Sequence, residues 1–262
     1  MKAFLQLEDV CQRFGGLSVL EGVSLTVPRG GIFGLIGPNG AGKTTAFNLI
    51  SGLLSPTSGD IRFLGESIVG LPPHEIFRLG LARTFQNIRL FKDMSLIENV
   101  KVGMHANLHY GVAGALLRSS TFRESENVAT AKAHELLSEL RLGDKATQLA
   151  GNLSYGEQRK LEIARALASE PKLLLLDEPV AGMNSGEKME LMKEIRNIAD
   201  RGYTILLIEH DMRFVMELCE QIAVLNFGRI IAQGNAQEII QNPRVIEAYL
   251  GADDDAILEE AE

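Results

Sequence analysis

Apolar positions along this chain change their spacing three times. From residue 4 to 36, short β-like runs alternate with Gly and Pro punctuation. Val23 to Val27 and Gly31 to Ile36 read as strands, joined by the turn Pro28-Arg29-Gly30. A Gly-rich stretch then leads into an apolar-periodic helix running to Ile50, with Gly52 as its stop. Ile61 to Phe63 reads as a strand after the turn Pro56-Thr57-Ser58-Gly59, and Pro73 to Leu79 as a short helix with Pro in its first turn. From about Asn87 to Glu170 strand signals fade. Glu124 to Leu140 carries Val128, Ala131, Leu136, Leu137 and Leu140 in an amphipathic pattern. Strand and helix alternation then returns. Lys172 to Leu176 reads as a strand, and Glu187 to Asp200 as a helix with Leu191, Met192, Ile195, Ile198 and Ala199 on one face. Thr204 to Ile208 is an apolar run of the kind found in covered parallel sheets. These elements predict an α/β core, residues 1–86 and 171–250, with a helical subdomain inserted at about 87–170.

Composition narrows the class. With 262 residues, 45% hydrophobic and 23% charged, the chain has an ordinary globular make-up. Runs such as Leu173 to Leu176 fall far short of the roughly 18 residues of a membrane span. The N-terminal stretch MKAFLQLEDVCQRF places acids where a secretory signal would be apolar. The chain is therefore expected to stay in the cytoplasm and to reach a membrane only through a partner. A net charge of -8 argues against nucleic-acid binding, which needs clustered Lys and Arg. Much of the acid lies in the tail, residues 251–262, which reads as a solvated end. Cys11 and Cys219 have no metal-site neighbours and suit a reducing compartment. Cys219 shares an apolar helical face with Met212, Val215 and Met216, which places it in the core.

The Gly-rich stretch carries the first chemistry. Gly37-Pro38-Asn39-Gly40-Ala41-Gly42-Lys43-Thr44 fits G-x-x-x-x-G-K-[ST], and Thr45 follows. Glycines let successive backbone N–H groups turn inward as a concave anion site, and the helix behind aims its positive end at the same point. Lys43 has the reach to meet outer phosphates, and the Thr44 hydroxyl suits Mg²⁺. A second signal is the apolar strand that ends in Asp177-Glu178. Carboxylates there would sit beside the phosphate loop, where open α/β sheets bind ligands. Asp177 suits Mg²⁺, and Glu178 suits a general base acting on the attacking water. A third signal is Ser154-Tyr155-Gly156-Glu157, an S-x-x-E capping box. Gly156 is a poor choice for a first helical turn, and helix-start amides can form another anion site.

Taken in order, these motifs resemble those of ATP-binding subunits of the ABC transporter superfamily, over essentially residues 4–250. LSYGEQ at 153–158 stands where that family has LSGGQ, with Tyr155 as the departure. The resemblance implies a phosphate-loop NTPase (RecA-like) core with an antiparallel β subdomain, and a role for each matching residue. Gln86 is similar to the Q-loop glutamine, a metal ligand and catalytic residue, and His210 to the switch histidine. Ala181-Gly182-Met183-Asn184 is similar to the D-loop, and Phe14 to the aromatic that stacks on adenine. Ser154, Gly156 and Glu157 would meet a nucleotide held by a partner. The runs TFQNIRLF, LSYGEQR, IEHDM and NPRVIEAYLG resemble the branched-chain amino-acid importer ATPase, and the insertion around Leu108 to Glu126 resembles its larger form. Implied cofactors are ATP and Mg²⁺. Implied partners are two membrane permease subunits, a second ATPase subunit (identical or homologous) and, indirectly, a periplasmic binding protein. The implied location is peripheral, on the cytoplasmic face of the inner membrane. Competing readings are an ABC ATPase for urea, lipid or lipopolysaccharide, and a soluble non-transport ABC ATPase.

Overall fold

A computed structural model describes residues 4–104 and 120–249 of the chain. The expected tail at 251–262 and most of the insertion around Leu108 to Glu126 lie outside the described residues. Two sheets organise the rest. The first is antiparallel, in the order β2-β1-β4-β5: β1 Leu5–Phe14, β2 Leu17–Val27, β4 Ser58–Phe63 and β5 Glu66–Ser67. The second holds six strands in the order β10-β9-β3-β8-β7-β6: β3 Gly31–Ile36, β6 Leu81–Arg83, β7 Leu173–Asp177, β8 Thr204–Ile208, β9 Gln221–Asn226 and β10 Arg229–Gly234. Its neighbours pair in parallel except β9 with β10.

The apolar strands are central because both faces are covered. Every residue of β7 and β8 is buried. One core lies between the two sheets and helices α1 (Lys43–Ile50) and α2 (Pro73–Leu79), with Phe47, Ile76, Leu35 and Leu206 in it. The other lies on the opposite face, where α3 (Leu96–Met104), α4 (Ser120–Glu139), α5 (Tyr155–Leu167) and α6 (Ser185–Asp200) pack. Cys219 lies in this second core with Val215, as its spacing predicts, and burial pushes its thiol up to about 12.

Boundaries and faces depart from the sequence pattern in places. Strand β2 begins six residues before Val23, and β4 takes in Ser58 and Gly59, which the pattern gives to a turn. Along α4 the buried stripe is Ala129, Ala133, Leu136 and Leu137, whereas Val128 is exposed. The stripe is rotated because small alanines let α4 pack closely against its neighbours, which a search for large apolar residues overlooks.

Candidate functional site

Register places the site at the C-terminal edge of the parallel sheet. Leu35 pairs with Ile208, and Ile208 with Asp177. Segments leaving β3, β8 and β7 therefore emerge side by side. Arg83 pairs with Leu175, so the segment after β6 joins them. This edge gathers the phosphate loop, Glu178, His210 and Gln86.

Behind the loop, Gly37 has φ 153° and lies against β9, where an added Cβ would meet Leu225 O at 1.9 Å. Only a residue without a side chain permits that approach. Helix α1 opens behind Gly42 (φ 104°) with no side-chain cap, so its first amides stay available to an anion. Lys43 is buried, and its Nζ donates to the carbonyls of Gly37 and Pro38 at 2.6 and 2.8 Å. Burial lowers its pKa, while Glu178 and then Asp177 act to hold it up. Thr44, Asn39 and Gly40 are exposed, and Pro38 and Thr45 half-buried.

Opposite stands Glu178, in the left-handed region at φ 46°. Its amide donates to Ile208 O at 2.9 Å, which fixes its backbone to the end of β8. Gln86 Nε2 donates to Glu178 Oε2 at 3.0 Å, and His210 Nδ1 lies 3.8 Å from the same oxygen. Asp177 is buried and pairs with Arg83 Nη2 at 2.7 Å. The Arg83 guanidinium also donates to Asn48 Oδ1 and Ser51 Oγ on α1. Phe14, at the end of β1, is 46% exposed and so presents its ring to solvent.

The start of α5 keeps other company. Ser154 Oγ accepts from Glu157 N at 3.4 Å, and the Glu157 carboxylate accepts from Ser154 N and Oγ, both at 3.1 Å. Glu157 also pairs with Lys145, the first cause of its lowered pKa. Glu157, an expected nucleotide contact, therefore has its carboxylate turned onto the cap. A Cβ on Gly156 would meet Glu187 Oε1 at 3.2 Å, and one on Gly182 would meet the Tyr155 ring at 3.4 Å. Asn184 caps α6, accepting from Gly186 N and Glu187 N. The fold thus brings Gln86, Glu178, His210, Asp177 and Lys43 together. Tyr155 and Gly156 are placed against the 182–187 segment instead, while Ser154 and Glu157 bond to each other and Glu157 to Lys145.

Four further residues shape the site in ways the motifs do not announce, although Arg159 and Glu209 lie within the runs LSYGEQR and IEHDM. Arg83 holds Asp177. Glu209 is fully buried and accepts from Val180 N and His210 N, with burial raising its pKa. Arg159 and Glu162 form a buried pair at 2.7 Å beneath the Gln86 segment. The one signal for these two is opposite charge at i, i+3 among the apolar residues of α5. A cavity of about 430 Å³ opens beside them, lined by Phe77, Phe85, Val102, Arg83, Glu162 and Arg165.

A phosphate loop feeding α1, carboxylates at the end of β7 two strands along the sheet and a capped glycine-bearing helix start define a phosphate-loop ATPase of the ABC class. A family profile described as "ABC transporter" matches residues 20–181, and one described as "Branched-chain amino acid ATP-binding cassette transporter" matches 229–255. The chain belongs to the ABC transporter ATPase family. It is 45% identical over 251 residues to the high-affinity branched-chain amino acid transport ATP-binding protein BraF of Pseudomonas aeruginosa, covering 95% of this chain and 98% of that protein. To LivG of Escherichia coli, a protein of the same description, it is 44% identical, covering 94% and 97%. A solved ADP conformation of MJ1267, an ATP-binding cassette of an ABC transporter, superposes with a TM-score of 0.83 at 31% identity, covering 96% of this chain and 100% of that one.

Proposed function

We propose that this chain is the ATP-binding subunit of an importer for branched-chain amino acids, working as one cassette over residues 1–250. The observation that carries the catalytic reading is the convergence of Gln86 and His210 on one oxygen of Glu178, beside the phosphate loop. The names of its relatives support the cargo. Glu178 takes a proton from the attacking water, and His210 and Gln86 orient it. Lys43 and the amides of Gly40 to Thr45 bind the phosphates, with Gly37, Pro38 and Asn39 shaping the loop and Phe14 stacking on the base. Mg²⁺ would be held by Thr44, Asp177 and Gln86. These three side chains offer a hydroxyl, a carboxylate and an amide oxygen, the hard donors that suit Mg²⁺ alongside phosphate oxygens and water. When bound it neutralises phosphate charge.

Ser154 and Gly156 meet the nucleotide of a second ATPase subunit, and Glu157 acts through Ser154, whose hydroxyl it fixes. Closure of that dimer around ATP then drives two permease subunits at the cytoplasmic face of the membrane, and a periplasmic binding protein supplies the cargo. No helix among the described residues is long and apolar enough to cross a membrane. The segment 87–99, just after Gln86, docks a helix of the membrane domain.

Glu178→Gln tests the base. ATP binding should persist while turnover falls roughly 10²- to 10⁴-fold, and turnover at the wild-type rate would remove Glu178 from the role. ATP-dependent uptake of labelled leucine by vesicles holding the assembled transporter tests the cargo. Uptake of urea or lipid instead would favour the competing importers.

A further inference from the structure

Arg159 is fully buried, and its charge is used in an uncommon direction. Nη1 donates to Phe85 O at 2.5 Å and to Glu162 Oε2 at 2.7 Å. Nη2 donates to Gln86 O at 2.7 Å and lies 3.4 Å from the Tyr155 hydroxyl. The other Glu162 oxygen accepts from Phe85 N at 3.3 Å and Arg89 N at 3.5 Å. One ion pair on α5 thus holds two consecutive carbonyls and two amides of the 85–89 segment.

Stability alone is a poor reason for this arrangement. A buried ion pair is often matched or bettered by apolar side chains of similar volume, because desolvation offsets the attraction. A planar fork on two successive carbonyls does supply orientation. It fixes the peptide plane between Phe85 and Gln86, and with it the direction in which the Gln86 side chain leaves the backbone. That side chain reaches Glu178 at 3.0 Å. Five residues before Arg159, the same helix begins at the Ser154 cap.

We propose that Arg159, paired with Glu162, is a positioning residue that makes the Gln86 segment move as one body with α5. Displacement of the α5 start then resets the distance from Gln86 to Glu178. Two active sites become linked within a single protomer: α5 meets the partner's nucleotide at its N-terminus and steers the protomer's own Gln86 one and a half turns later. This rests on the reading of Ser154 and Gln86 given under the proposed function.

The full-length chain offers a clean reporter, because it contains no tryptophan. Asn87→Trp would place a single indole next to Gln86. In that background, ATP addition should shift the emission. The double variant Arg159→Met/Glu162→Leu removes the charges and keeps the packing volume. It should melt lower than the parent, because two carbonyls and two amides of the 85–89 segment lose their side-chain partners, yet bind ATP with a Kd changed by no more than about twofold, lose most of the emission shift and lose roughly 10²-fold in kcat. Arg159→Lys, a point charge without the fork, should fall between the two. A folded double variant with the parent's emission shift and kcat would overturn the proposal, since a purely structural pair predicts that result. Should the double variant not fold, Arg159→Lys decides by the same readings: a full shift with full kcat refutes, a reduced shift with intact ATP binding supports. The emission shift does not depend on hydrolysis. Failure of Glu178 as the base would therefore show in Glu178→Gln turnover and leave this result standing.

Discussion

Two helix starts in this molecule are prepared for the same kind of ligand in opposite ways. Helix α1 opens behind a left-handed glycine and receives no side-chain cap. Helix α5 opens behind Ser154 with a complete capping box, closed by a carboxylate that is itself paired with Lys145. The first start is wrapped by its own loop, which leaves its first amides free for an anion. The second, whose Ser154 and Tyr155 are exposed, must keep its shape without a ligand of its own, as the proposed contact with a second subunit requires. A self-sufficient cap does that, at the cost of placing a carboxylate near an anion site. Glu157 is tolerable there because Lys145 and Ser154 occupy its oxygens.

The largest effect that bears on this contrast should come from Gly37→Ala. The new Cβ would meet the Leu225 carbonyl at 1.9 Å, a backbone atom that cannot step aside, so the expected loss exceeds about 4 kcal/mol in urea unfolding. Near-normal stability would show that the loop is not seated against β9. Next is Arg83→Ala, which leaves buried Asp177 without its partner and should cost about 3–5 kcal/mol by the same measurement.

On the α5 side, effects on stability should be small and effects on turnover large. Ser154→Ala should cost about 1 kcal/mol. Gly156→Ala meets only the movable end of Glu187, at 3.2 Å, and gains helix propensity of up to roughly 1 kcal/mol. It should therefore fold at least as well as the parent, and the proposed contact of Gly156 with a second subunit's nucleotide predicts that its ATPase activity drops. Full activity in Gly156→Ala would break the comparison outright. The smallest effect concerns pH. The Lys145 hydrogen bond, ahead of all other causes, holds the Glu157 carboxyl below its ordinary 4.5. Its charged form therefore stabilises the fold fully above 4.5, and that contribution is lost as pH falls through the lower folded value. The stability gap between the parent and Glu157→Gln should be level from neutral pH down to about 4.5 and close below it.

Much of this was legible because it depends on local spacing. The phosphate loop, the Ser154 capping box and the apolar strands β7 and β8 each declare themselves within a dozen residues. Strand β6 was not legible, since three residues ending in Arg83 carry no period, and neither β9 nor β10 was predicted. Arg83, Arg159 and Glu162 escaped for a physical reason. Apart from the contacts of Arg159 with Glu162 and Tyr155 on its own helix, their hydrogen-bonding partners lie 32 to 94 residues away, and Arg159's distant ones are backbone carbonyls, which leave no trace in side-chain identity. The roles of Gln86 and His210 came from family order. The register of β6, β7 and β8 shows why those two can meet Glu178.

The position of β3 has a consequence for how the protein is made. The strand that carries the phosphate loop pairs with β8 and β9, both of which begin some 170 or more residues later. As the chain leaves the ribosome, its ATP-binding loop therefore has no sheet neighbour until nearly all of the cassette has been synthesised. A chain that stops before β8 is therefore expected to present its phosphate loop on an unpaired strand and to bind ATP more weakly than the whole cassette.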